Sequence, residues 1–91
     1  MSTVRVPPVL RDQTDGSRTV KVSGATVSDA LGDLFRRHPA LRDRVTEKGE
    51  LSQFINVYVN DRDVRYRDGL ETPIAVDDTI IILPAMAGGT R

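Results

Sequence analysis

Apolar and polar residues alternate along Thr3-Val4-Arg5-Val6, the period-two pattern of a half-buried strand. Pro7-Pro8 interrupts it by removing backbone donors, and Val9-Leu10 is read as the same edge resuming beyond the prolines. Asp12 to Ser17, centred on Asp15-Gly16, has hairpin-loop composition, and Thr19-Val20-Lys21-Val22 alternates again as the returning strand. Ser23-Gly24 ends that pattern, and the period then changes. Val27, Ala30, Leu31, Leu34 and Phe35 stand at i, i+3, i+4, i+7 and i+8, one stripe of a helix. Thr26 and Asp29 fit a capping box at its start. Arg36, Arg37 and His38 occupy its last turn, where cations suit the dipole, and Pro39 stops it. Gly32 in its middle costs about 1 kcal/mol of propensity against alanine, which packing can absorb. Leu41 and Val45 predict a second, short helical turn closed near Gly49.

Period two returns from Gln53 to Asn60, with Ile55, Val57 and Val59 on one face and Asn56 and Tyr58 on the other. Asn60 to Asp63 is a turn, Val64-Arg65-Tyr66 a short strand, and Leu70 to Val76 a crossover of irregular or single-turn structure. Asp77-Asp78 turns the chain into a last strand, Thr79 to Leu83, ended by Pro84. Strands joined by a tight loop pair antiparallel, and the helical crossover favours a last strand parallel to the first. The expected fold is α+β: a mixed four- to five-stranded sheet with one main helix on one face, the ubiquitin-like β-grasp. Residues 1–83 form this domain and 84–91 a flexible tail. The last strand is apolar at four consecutive positions, Ile80 to Leu83, although one helix covers only one face. With Ile80 and Ile82 directed at the helix, Ile81 and Leu83 point away from it, beside Tyr58 if those strands neighbour. They then form a docking patch, unless a loop covers them.

Composition narrows the chemistry. A chain of 91 residues supports one domain with a modest core. It has no cysteine, which excludes disulfides, thiol catalysis and zinc–thiolate sites. With 38% hydrophobic residues, 29% charged residues and zero formal net charge, it reads as a globular protein with no basic field for nucleic acid. No apolar run approaches membrane-spanning length, and Met1 to Arg5 lacks the apolar region of a signal peptide. A cytoplasmic protein with no nucleic-acid or membrane partner is expected, and eleven arginines among thirteen cations suggest a GC-rich bacterial source. His38, the sole histidine, is assigned to the helix end. Turn chemistry accounts for the carboxylate pairs Asp61/Asp63 and Asp77/Asp78, and no metal or cofactor cluster stands out. Arg62, Arg65 and Arg67 are read as a solvated face, with steering of an acidic partner as their alternative use.

The tail carries the candidate chemistry. Leu83-Pro84-Ala85-Met86-Ala87-Gly88-Gly89 thins to small residues, followed by Thr90-Arg91. Without Cβ atoms, Gly88-Gly89 can be enclosed closely by another protein and attacked from either side. That suits a chain offering its own carboxyl carbon as substrate, although a frayed terminus has the same composition.

The rest of the chain decides between them. Ile55-Asn56-Val57-Tyr58-Val59-Asn60-Asp61, then Asp63-Val64-Arg65, then Asp78-Thr79-Ile80-Ile81-Ile82-Leu83-Pro84-Ala85-Met86-Ala87-Gly88-Gly89 resemble the small ubiquitin-like sulfur-carrier family of ThiS, MoaD and CysO types. The likeness spans nearly the whole chain and is strongest to the CysO branch, which shares the insert after the helix and the Leu-Pro-Ala-x-Ala-Gly-Gly ending. Molybdopterin-type tails carry two consecutive prolines, where this chain has Pro84-Ala85.

The resemblance implies a protein cosubstrate, not an enzyme. A ubiquitin-activating-type enzyme would use ATP to adenylate the Gly89 carboxylate, and a sulfur donor would displace AMP to leave a thiocarboxylate. In the CysO branch that group passes sulfur to a pyridoxal-phosphate (PLP)-dependent cysteine synthase. ATP, PLP and zinc would belong to partners, with no cofactor on this chain. Tyr58, Ile81, Leu83, Pro84, Ala85, Met86, Ala87 and Gly88 are the expected partner contacts. Thr90-Arg91 departs from the pattern by locking Gly89 in an amide. It marks either a precursor trimmed by a zinc metalloprotease or a remnant of expression cloning. The alternatives are sulfur donation to molybdopterin, thiamine or a thiolated secondary metabolite, a ubiquitin-like modifier joined to lysines, and a plain interaction domain.

Overall fold

The computed structural model describes residues 1–84. Strand β1 (Ser2–Arg5) pairs antiparallel with β2 (Thr19–Val22) and parallel with β7 (Thr79–Pro84). On its other side β7 runs antiparallel to β5 (Ile55–Val59), which carries the two-residue β6 (Arg62–Asp63) at the far edge. The sheet order is therefore β2-β1-β7-β5-β6, with the strand that leads into the tail at the centre. Helix α1 (Val27–Arg37) buries its expected stripe of Val27, Ala30, Leu31, Leu34 and Phe35. The stripe shares one core with Val4, Val20, Val22, Val57, Ile80 and Ile82 from the sheet. This is the expected mixed β-grasp sheet.

Helix α1 is tied to the edge strand by its own side chains. The Asp29 N–H donates to Thr26 Oγ1 at 3.2 Å and caps the first turn. One turn on, Asp33 accepts the Ser23 N–H at 3.0 Å and pairs with Arg36 and Arg37. Arg37 also donates to the Lys21 carbonyl, occupying an acceptor on β2. The Ser23 N–H chiefly, then Arg37 and Arg36, hold the Asp33 carboxyl below its ordinary value of 3.8 against desolvation. A carboxyl whose folded-state pKa is depressed stabilises the fold above its unfolded value and stops doing so as pH falls through the folded one. The melting-temperature gap between wild type and Asp33→Asn is therefore expected to be full at neutral pH. It should close below about pH 4, which parallel thermal melts will read.

Gly24 lets this junction close. A Cβ there would lie 2.7 Å from both the Ala30 nitrogen and the Asp29 Cβ, inside the first turn of α1. Gly24→Ala should cost about 1–3 kcal/mol through this overpacking, measured by urea unfolding. An unchanged midpoint would show that the turn yields freely.

Four segments depart from the alternation-based expectation. Pro8–Thr14 forms a 3-10 helix rather than an edge strand running into a loop. Pro8 suits a first helical position because its missing N–H needs no partner there. Leu10 goes into the core, and the buried Thr14 hydroxyl bonds the carbonyls of Arg11 (3.2 Å) and Ser17 (2.9 Å). After α2 (Ala40–Val45), an unanticipated hairpin pairs β3 (Thr46–Glu47) with β4 (Glu50–Leu51). Its loop, Lys48-Gly49, has φ of 55° and 83°, the positive pair a two-residue turn requires. Strand β5 starts at Ile55, not Gln53, after a turn in which the Ser52 hydroxyl accepts the Phe54 N–H at 3.1 Å. Val64–Tyr66 is a 3-10 turn rather than a strand, because the Asp63 carboxylate captures the Arg65 N–H at 2.8 Å. Val64 is nonetheless fully buried.

The crossover to β7 is fixed to the helix start. Val27 N–H donates to Thr72 O at 3.0 Å, and Ile74 N–H to Ala25 O at 2.9 Å. Asn60 then links the turns before β7, donating to Asp78 (3.1 Å) and accepting from the Thr79 N–H (3.1 Å). Among the described residues no helix is long and apolar enough to cross a membrane.

Candidate functional site at the root of the tail

Strand β7 alternates as a central strand covered on one face must. Ile80 and Ile82 are 0% and 1% exposed towards α1, Ile81 is half-buried on the other face, and Leu83 is 43% exposed. Register places the outer-face residues. Arg5, Ile81, Tyr58 and Asp63 form one row across β1, β7, β5 and β6, and Leu83 stands opposite Asn56. Tyr58 is thus beside Ile81, as expected, and Leu83 is diagonal to it. Pro84, expected to follow the strand, is its last residue and pairs with Ile55.

Consecutive residues at this root open onto different clefts. Leu83 lines a cleft of about 440 Å³ on the outer face, with Ile81, Pro7 and Pro8 beside it and Arg5, Arg11 and Arg18 around it. Pro84 lines one of about 430 Å³ at the end of the sheet, where Val9 and Phe54 are 55% and 53% exposed. Asp43, Arg44 and Glu47 border this second cleft. Sequence reasoning does not single out Val9 and Phe54, because it reads both as strand positions, whereas Val9 lies in the 3-10 helix and Phe54 precedes β5. The one usable signal was a large aromatic, Phe54, just before a strand of alternating Ile and Val.

The arginines read as a solvated face need correction at one position. Arg65 donates to the carbonyls of Ser52 (3.0 Å) and Ile55 (2.7 Å) and to the Asn56 side chain. It stitches the entry of β5 and orients Asn56 next to Leu83, so its role is structural. His38 is the C-cap residue of α1, its N–H bonded to Leu34 O at 2.9 Å. The Ala75 N–H and then the Asn60 side chain bond the Asp78 carboxylate, hold it below its ordinary value and tie it to the turn before β7. Among the described residues no group of three or more His, Cys, Asp or Glu could hold a metal. Ala85, Met86, Ala87, Gly88, Gly89, Thr90 and Arg91 lie outside the described residues.

Comparison with known proteins settles the family. Residues 4–89 match the model of the ThiS family. The chain belongs to the ThiS family. This ThiS-family chain is 42% identical over 90 residues to the sulfur carrier protein CysO of Mycobacterium tuberculosis, covering 96% of this chain and 97% of that protein. It is 41% identical over 78 residues to small archaeal modifier protein 1 of Haloferax volcanii, covering 81% and 85%. Among solved structures it superposes on a chain of the Amycolatopsis orientalis BexX/CysO complex with a TM-score of 0.92 and 45% identity, covering 98% of this chain and 100% of that one. The corresponding values for SAMP1 of Haloferax volcanii are a TM-score of 0.81, 36% identity, and coverage of 97% and 98%.

Proposed function

We propose that this chain is a sulfur carrier whose Gly89 carboxylate, once free, is converted to a thiocarboxylate by partner enzymes. The observation that carries the reading is the family match through Gly89, just beyond a central strand whose outer face presents Leu83, 43% exposed, beside half-buried Ile81. A carboxylate is a poor electrophile, so the adenylating partner must activate it. A Gly89 oxygen attacks the α-phosphate of ATP, pyrophosphate leaves, and the acyl adenylate forms. Hydrosulfide delivered by the sulfur donor then attacks the carbonyl carbon, AMP departs and a proton is lost, which leaves the thiocarboxylate. The thiocarboxylate sulfur becomes the nucleophile handed to an acceptor, for which a PLP-dependent cysteine synthase is our choice on the likeness to CysO. Tyr58, Ile81, Leu83 and the tail from Pro84 to Gly88 contact these partners, which carry the ATP and PLP. The chain supplies the carried group and works in the cytoplasm.

While Thr90 follows, the Gly89 carbonyl is an amide with no anionic oxygen. The family match stops at Gly89, which supports removal of Thr90-Arg91, and the partner proposed for this is a zinc metalloprotease. The likeness to small archaeal modifier proteins favours a second reading, attachment of the same carboxyl to lysines. Mass spectrometry of the protein recovered from its own cells separates the two. A Gly89-ended chain heavier by one sulfur-for-oxygen exchange supports the carrier, and branched lysine peptides without that species would replace it with the modifier.

A further inference from the structure

The cleft on the outer face beside Leu83 is lined by three cations and no carboxylate. Arg5 comes from β1, opposite Ile81; Arg11 from the Pro8–Thr14 turn; and Arg18 from the residue before β2. The three charges are thus brought together by tertiary structure. Arg11 is braced by its Nε, which donates to Val6 O at 3.1 Å. Among the described residues the only ion pairs are those of Asp33 with Arg36 and Arg37, so these three cations are not neutralised there. The second cleft differs, since Asp43 and Glu47 offset Arg44. A chain of zero net charge therefore concentrates positive charge on one side of its tail root.

We propose that this cleft receives an acidic segment of the adenylating partner, its carboxylates meeting Arg5, Arg11 and Arg18 while an apolar side chain rests on Ile81 and Leu83. The proposal rests on the carrier reading above. Guanidinium forks match carboxylates in two-bonded geometry, which favours aspartate and glutamate as the recognised groups. The apolar floor favours a protein segment over a small free anion, which would gain nothing from Ile81 and Leu83. Leu83 also stands two residues from Ala85, so a partner seated here holds the start of the tail it must thread. Rim cations of this kind act on encounter and register, and their effect fades with salt.

The test uses the Gly89-ended chain, ATP, and the adenylating enzyme purified by its pyrophosphate release on that chain. Arg5→Glu and Arg18→Glu, tested separately, should each raise the KM for the carrier at least tenfold, with the change falling on KM rather than kcat. Rising sodium chloride should raise the wild-type KM and leave that of the variants nearly flat. Lys48→Glu, in the β3–β4 loop outside the cleft, makes the same change in net charge and should leave KM within twofold. Equal KM for wild type and both arginine variants would overturn the proposal, as would an equal rise with Lys48→Glu. If the unsubstituted Gly89-ended chain elicits no pyrophosphate release from any such enzyme, the carrier reading fails and takes this inference with it. Release with unaltered variants defeats the docking inference alone.

Discussion

A chain ending at Gly89 is expected to drive pyrophosphate release from ATP with its adenylating partner, while the 91-residue chain gives only background. The difference is chemical. A terminal carboxylate presents an anionic oxygen to the α-phosphate, whereas the Gly89–Thr90 amide delocalises its nitrogen lone pair into the carbonyl and presents none. A stop codon after Gly89 should restore activation with no peptidase present. Deleting Gly89 from that shortened chain should leave the melting temperature unchanged, because the last strand ends at Pro84, and should abolish sulfur loading. Activation of the intact chain at the same rate, with Thr90-Arg91 still attached by mass, would refute the trimming requirement.

The second large effect concerns Leu83. Leu83→Asp should weaken binding to the adenylating partner by about thirtyfold or more, since desolvating a carboxylate at an apolar contact costs about 2 kcal/mol or more. Here it would also repel the partner's acidic segment from Arg5, Arg11 and Arg18. The same change should move stability by less than about 1 kcal/mol, because this side chain is already 43% exposed. Ile81→Asp should weaken binding as well but cost more stability, its side chain being half-buried between Arg5 and Tyr58. Binding isotherms alongside urea unfolding separate the two quantities. If Leu83→Asp unfolds the protein, the outer face is part of the core and the docking assignment is inverted.

Elements long enough to repeat a period were legible in the sequence, and those built on single contacts were not. Helix α1 shows its stripe over nine residues, and β5 alternates long enough to assign both faces, whereas β7 is apolar at four successive positions and shows no period of its own. The facing of Ile80 and Ile82 and the nearness of Tyr58 to Ile81 could be stated only as conditions, and it is the pairing of β7 with β1 and β5 that meets them. The β3–β4 hairpin has strands of two residues, too short for any periodicity, and only Lys48-Gly49 could have announced it. Val9 departs from the strand expected beyond the two prolines, because Pro8 starts a 3-10 helix that turns Leu10 inward and leaves Val9 out. Arg65 was misjudged because its exposure resembles that of any surface arginine. Its role comes from three acceptors nine to thirteen residues away, joined to it only by the fold. The cationic cleft was invisible for the same reason, since Arg5, Arg11 and Arg18 are separated by six and seven residues and meet through three different elements.

The parallel pairing of β1 with β7 has a mechanical consequence. The chain enters the sheet at Ser2 and leaves it at Pro84, and because these two central strands run the same way, those points lie at opposite ends of one ladder. Tension between the chain ends therefore loads the rungs of that ladder together, in shear, instead of peeling them apart in turn. A pull along this line meets several rungs at once. In an optical trap, unfolding between residues 2 and 84 should need a higher force than unfolding between residues 48 and 84. For the carrier proposed above, a pull on the tail against the N-terminal end is thus borne by the ladder from which the tail departs.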